Sequence, residues 1–153
     1  MILMGDITKN FSKHEFACNC GCDFDRIHPE FVQELQKGRN VFGTMVISSG
    51  NRCPEYNKEV GGATNSLHQY GIASDVGFVG IDWDDPEEVY KVLKFFDEKT
   101  NVFRIGLYSW GAHFDKFFEP RWPYWYKDSE GYHYVDSVQE MVEAFFNKIQ
   151  KEV

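Results

Sequence analysis

The segment from Gly50 to Gly71 constrains this chain most, because Gly, Asn, Ser and Pro break up every apolar period there while strand-like runs stand on both sides. Thr44 to Ser49 reads as a β-strand with Ser49-Gly50-Asn51 as its turn, and Ser74 to Val79 reads as a second strand. A long irregular connection between two strands of a compact domain is usually functional. The chain has 153 residues, and a chain of about 150 residues can bury roughly 70% of its unfolded surface without disulfide or metal staples. One domain spanning 1–153 is therefore expected.

Helical signals surround this segment. Ser12 and Glu15 form a capping box, with Phe11 and Phe16 placed as a hydrophobic staple, and the Cys-Gly turn closes that short helix. Pro29 opens a helix running to about Asn40, with Phe31, Val32 and Leu35 on one face. Asp85-Pro86-Glu87-Glu88 supplies a cap, an N1 proline and an acidic first turn to a helix buried through Val89, Val92, Leu93 and Phe96. Phe103 to Tyr108 and Ala112 to Lys116 read as a hairpin. An aromatic stretch from Trp122 to Tyr134 follows, turning near Asp128 to Gly131. Ser137 and Glu140 then cap a terminal helix striped by Val138, Met141, Val142, Phe145, Phe146 and Ile149. The fold class is α+β: a small antiparallel sheet packed against helices.

Charge excludes some partners. Lys and Arg total 16 against 24 Asp and Glu, a net charge of -8, whereas nucleic acid and anionic membranes need clustered cations. Neither is expected as a partner. No run reaches the 18 or so apolar residues of a membrane span. Met1 to Gly5 lacks a basic n-region, so synthesis as a soluble cytoplasmic chain without a signal peptide is expected.

Of four cysteines, three fall in Cys18-Asn-Cys20-Gly-Cys22 and the fourth is Cys53. That spacing departs from the paired Cys-x-x-Cys knuckles of structural zinc sites. It favours reduced or partly paired thiols in a Gly-rich turn over a closed four-thiolate site or a disulfide framework.

Two clusters could carry chemistry. In Ser66-Leu-His68-Gln-Tyr-Gly71-Ile-Ala73-Ser-Asp75, an imidazole and a carboxylate stand where small residues let the backbone fold back. In His113-Phe-Asp115, strand alternation puts both polar side chains on one face. Joined, His68, Asp75 and His113 make a three-ligand zinc site with an open position, the catalytic type. By spacing alone, a satisfied loop histidine and a turn-capping aspartate are the commoner reading. Arg52 could hold a substrate carboxylate or an oxyanion. For an arginine taken alone, a surface salt bridge is the default. His14, His28 and His133 have no ligand neighbour at suitable spacing and are read as surface or core residues.

The run Ser48-Ser-Gly50-Asn-Arg52-Cys-Pro54-Glu-Tyr56-Asn57, continued by Val60-Gly61-Gly62-Ala63 and by Ser66-x-His68-x-x-Gly71-x-Ala73-x-Asp75, resembles the signature of the zinc D-alanyl-D-alanine carboxypeptidase family. That family includes bacteriophage peptidoglycan endopeptidases and shares its fold with the amino-terminal domain of Hedgehog proteins. Asn10-Phe11-Ser12 to Cys18 and Ile105-Gly106-Leu-Tyr108 with His113-Phe-Asp115 are similar to its first and third blocks. The resemblance implies a Hedgehog-like zinc peptidase fold with His68, Asp75 and His113 as ligands of Zn2+ and Arg52 as the substrate or oxyanion anchor. It implies hydrolysis of a peptide bond in bacterial peptidoglycan stem peptides, as a carboxypeptidase or an L-Ala-D-Glu type endopeptidase such as a phage endolysin, by a monomer acting at the cell wall. Several relatives carry an acidic residue or histidine shortly before the third ligand, where this chain has Tyr108 to Ala112. Asp115 is then the best carboxylate for acid/base catalysis, though it could instead orient His113 or itself be the ligand. The missing acid favours an alternative, a catalytically inactive zinc-bearing peptidoglycan-binding domain. Trp110, Trp122, Tyr124, Trp125 and Tyr126 are either a substrate wall or a cluster packed under the terminal helix.

Overall fold

The computed structural model describes residues 5–22, 26–116 and 123–151, with side chains described to residue 147. In chain order the elements are a 3-10 turn Lys13–Phe16, α1 Pro29–Phe42, β1 Met45–Ser49, α2 Pro54–Glu59, a 3-10 turn Leu67–Tyr70, β2 Ala73–Phe78, α3 Pro86–Lys99, β3 Arg104–Leu107, β4 Ala112–Asp115, β5 Tyr124–Asp128, β6 Gly131–Val135 and α4 Val138–Lys151. The expected helix starts hold. Ser12 N–H donates to Glu15 Oε2 at 2.6 Å, Asp85 Oδ1 accepts from Glu87 N–H at 2.9 Å, and Pro29 and Pro86 sit in first turns. Phe11 and Phe16 meet as a staple, ring centroids 5.8 Å apart. Trp122 and the side chain of Ile149 lie outside the described residues.

Six strands form one sheet in the order β1-β2-β4-β3-β5-β6. The sheet is mixed where an antiparallel one is expected: β5 runs parallel to β3, and every other pairing is antiparallel. The cause is positional. A simple meander would lay β5 beside β4, but β2 already occupies that edge of β4. β5 therefore crosses to the far side of β3, and a strand that reverses direction after β4 must run with β3.

Alternation then divides the sheet into two faces. Val76 and Phe78 of β2, Ile105 and Leu107 of β3, Ala112 and Phe114 of β4 and Tyr126 of β5 join α1, α3 and α4 in the buried core. Phe96 of α3 stacks on Phe114 with centroids 4.1 Å apart, fastening β4 to the helix layer. Such a fully buried Phe contributes about 1.5–3 kcal/mol. The opposite face carries Asp75, Arg104, Gly106, His113, Asp115 and Trp125 on adjacent strands.

The segment 50–71 is less irregular than its composition. α2 spans only six residues, too few for an apolar period to register, and its cap is Cys53, whose sulfur accepts from Tyr56 N–H at 3.3 Å. Gly71, at φ 72°, ends the second turn in the left-handed region. A Cβ there would run into the Arg26 carbonyl, so the residue both reverses the chain and admits a close backbone approach.

Candidate metal centre and cleft

Asp75 on β2 and His113 on β4 are direct cross-strand partners. The 3-10 turn brings His68 in from the side, its N–H accepted by Ser66 Oγ at 3.4 Å. Asp75 Oδ1 lies 3.0 Å from His113 Nδ1 and Asp75 Oδ2 lies 3.3 Å from His68 Nε2. The three donor atoms all fall within 4.8 Å of one another, and all three residues are buried.

The outer nitrogens decide the tautomers. His68 Nδ1 is 2.8 Å from the Gly50 carbonyl oxygen, which can only accept, so Nδ1 carries the proton and the Nε2 lone pair faces Asp75. His113 Nε2 is 2.8 Å from Asp115 Oδ2, which likewise keeps a proton on Nε2 and leaves Nδ1 as the inward-facing nitrogen. Two imidazole nitrogens and a carboxylate therefore converge on one point, where a bound cation would meet their lone pairs and where, without one, a proton on His113 Nδ1 bridges to Asp75 Oδ1. A tetrahedral ion bound at about 2.05 Å would space its nitrogen and oxygen ligands about 3.3 Å apart. The donor set and its spacing fit zinc.

Electrostatics follow from the same contacts. Burial alone would raise the Asp75 carboxyl, but the His113 and His68 imidazoles beside it hold it well below the usual carboxylate range. Burial pushes the His68 imidazole down, with Asp75 partly offsetting it. Burial would lower His113 as well, yet Asp115 and Asp75 together hold it up at about 9.

Arg52 joins the cluster. Its Nη2 donates to Asp75 Oδ2 at 3.3 Å, its Nη1 to Asn57 Oδ1 at 3.2 Å and its Nε to Ser49 Oγ at 3.2 Å. Its backbone N–H donates to the His68 carbonyl at 2.9 Å, tying the two loops at the site. Gly62 leaves room for this arrangement, since a Cβ there would press on Asn57 Oδ1. Asp115 sits elsewhere than a solvent-side base would. It is 0% exposed, lies beneath His113, and accepts from Arg104 Nε at 3.0 Å on each oxygen.

Two site residues escape the sequence reading. The Tyr108 hydroxyl donates to Asp75 Oδ1 at 3.1 Å, and burial with the Asp75 charge pushes that phenol well above its ordinary value, so it stays a donor. Arg104 reaches the same cleft from β3. Alternation of the Phe103 to Tyr108 strand places Arg104 with Gly106, the residue opposite His113, and that is the signal that could have found it.

The cleft has a volume of about 490 Å³ beside His68 and His113, and an adjoining pocket of about 540 Å³ shares Arg52, Gly61, Gly62, Tyr108 and Tyr132 with it. The aromatics divide by strand parity. Tyr126 packs on Phe145 of α4 and Tyr124 donates to Asp97 Oδ1 at 2.7 Å. Trp125 turns the other way, lying over Gly106 with its ring 5.4 Å from that of His113. Trp110, 47% exposed, stacks on Tyr108 with centroids 5.1 Å apart and an interplanar angle of 6°. Among the described residues, no helix is long and apolar enough to cross a membrane.

No curated protein matches this chain. Residues 8–113, more than half of the chain and the span that holds His68, Asp75, His113 and Arg52, match the model of a family described as peptidase M15. The chain belongs to the peptidase M15 family of metallopeptidases.

Proposed function

We propose that this chain, as a single-domain monomer, is a zinc peptidase that hydrolyses peptide bonds in the stem peptides of bacterial peptidoglycan and acts at the cell wall. The observation that carries the reading is the convergence of His68 Nε2, Asp75 and His113 Nδ1 beside Arg52, in an open cleft of a peptidase-family chain. Zinc held by these three residues would polarise the scissile carbonyl and bring the pKa of a bound water towards 7.

The chain's own residues supply the rest. Arg52, held by Ser49, Asn57 and Asp75, presents its guanidinium at the cleft wall, where it can steady the oxyanion or grip a substrate carboxylate. Arg104 adds a second cation to that wall, which suits stem peptides rich in carboxylates. Trp110 and Tyr108 form a flat face on which a peptide can lie. Asp115 acts through His113 as a positioning residue, and Tyr108 does the same for Asp75.

Purified peptidoglycan digested with the metal-loaded protein should release new peptide termini identifiable by mass spectrometry. A second reading, the zinc-bearing binding domain without catalysis, draws on the burial of Asp115 and the absence of a carboxylate from residues 108–112. It predicts protein that sediments with peptidoglycan and leaves the stems uncut.

Arg52→Lys keeps the charge but loses the fork that meets a carbonyl or carboxylate at two points. Its kcat/KM on a stem peptide, measured at saturating zinc, should fall about 10²-fold. Tyr108→Phe keeps the stacked ring and removes one hydrogen bond to Asp75. Zinc affinity, measured by competition with a chelator, should weaken about tenfold, while the melting free energy changes by no more than about 1 kcal/mol.

A further inference from the structure

All four cysteines of the chain meet in one group, distinct from the His68 cluster. Cys18 leaves the N-terminal 3-10 turn, Cys20 and Cys22 flank Gly21, whose φ of 81° turns the chain sharply, and Cys53 arrives from the start of α2. Their sulfurs lie within 4.8 Å of one another. Cys18 and Cys20 are 3.4 Å apart, Cys20 and Cys53 3.7 Å, and Cys18 and Cys53 3.8 Å.

A disulfide needs about 2.05 Å, so these separations belong to free thiols. Four thiolates around a tetrahedral zinc at about 2.3 Å would stand about 3.8 Å apart. A second observation points the same way. Backbone N–H groups aim at the sulfurs: Cys53 N–H donates to Cys18 Sγ at 3.4 Å and Tyr56 N–H to Cys53 Sγ at 3.3 Å. Donors so placed favour thiolates that share charge with a cation over neutral thiols. An all-sulfur set of four closes the coordination sphere, which is the structural kind of zinc site.

We propose that Cys18, Cys20, Cys22 and Cys53 bind a second zinc ion, which fixes the Arg52 loop to the N-terminal turn. Cys53 is the residue after Arg52, and the same two segments are already tied by Asn51 N–H to the Phe16 carbonyl at 2.8 Å and by Asn19 Nδ2 to the Ser48 carbonyl at 3.0 Å. Gly50 lets them approach, since a Cβ there would sit 2.7 Å from Phe16 Cα. Ligand-spacing rules describe two knuckles, whereas here one tight turn supplies three sulfurs and a helix cap supplies the fourth.

Metal analysis of the full chain, purified under reducing conditions in the presence of zinc, tests the site. We expect about two zinc ions per chain, about one in the Cys20→Ser/Cys22→Ser double variant, and about one in His68→Ala. Replacing zinc by cobalt should give an intense sulfur-to-cobalt charge-transfer band that persists in His68→Ala and vanishes in the cysteine variant. The wild-type cobalt spectrum decides the matter alone should the double variant fail to fold. Absence of the charge-transfer band, disulfides found by peptide mapping, or unchanged zinc in a folded cysteine variant would overturn the proposal. None of these outcomes bears on the peptidase reading, which depends on the zinc lost in His68→Ala.

Discussion

His68→Ala should fold, lose the zinc of the cleft and release no peptide termini from peptidoglycan. The imidazole is buried and supplies one of three converging donors, and a site left with a carboxylate and one histidine holds zinc poorly at neutral pH. Carbonyl polarisation and water activation by a metal are worth several kcal/mol, and each 1.36 kcal/mol is tenfold, so turnover should drop by at least about 10³-fold. The structural cost is smaller. The variant forfeits the Nδ1 bond to the Gly50 carbonyl and leaves a small cavity, together about 1–3 kcal/mol. Thermal melting followed by circular dichroism should therefore show a cooperative transition at a lower temperature. Chelator treatment of the wild type should abolish cleavage in the same way, and added zinc should restore it in the wild type alone. A folded His68→Ala protein that still cleaves at the wild-type rate would falsify the ligand assignment.

The sequence carries this site unevenly. His68 and Asp75 are legible because they fall in one short block whose glycine and alanine announce a tight backbone, and His113 shares a face with Asp115 because strand parity is fixed by the chain. Their convergence is less legible. It depends on β2 and β4 being neighbours with Asp75 opposite His113, a register set by the whole sheet and by the inward packing of Val76 and Phe114. Arg104 and Tyr108 are hidden for the same reason, since each matters only through what the adjacent strand places beside it. β5 and β6 read as an aromatic stretch around a turn. Nothing local shows that parity sends Tyr124 and Tyr126 towards α3 and α4 and Trp125 towards His113.

Asp115 separates two roles that the sequence leaves open. A general base must reach the water side of the cleft, and its loss lowers kcat while leaving metal and fold intact. A residue that orients a ligand acts on affinity and stability. Asp115 is fully buried between His113 Nε2 and Arg104 Nε, so Asp115→Ala would strand a histidine and an arginine without their shared anion. Breaking a buried ionic network from one side costs about 3–5 kcal/mol, a large part of the stability of a domain this size. Asp115→Asn is the more informative change, because it keeps the volume and can still accept one hydrogen bond. It removes the charge that holds the proton on His113 Nε2, so zinc affinity should fall about 10–100-fold. Cleavage should recover when zinc is raised to saturation, since no group at the reacting atoms has been lost. The decisive measurement is kcat at saturating zinc for the folded Asp115→Asn protein. A value near wild type identifies a positioning residue; a drop of about 10²-fold or more with zinc fully bound identifies a base and rejects the role given to it by its burial.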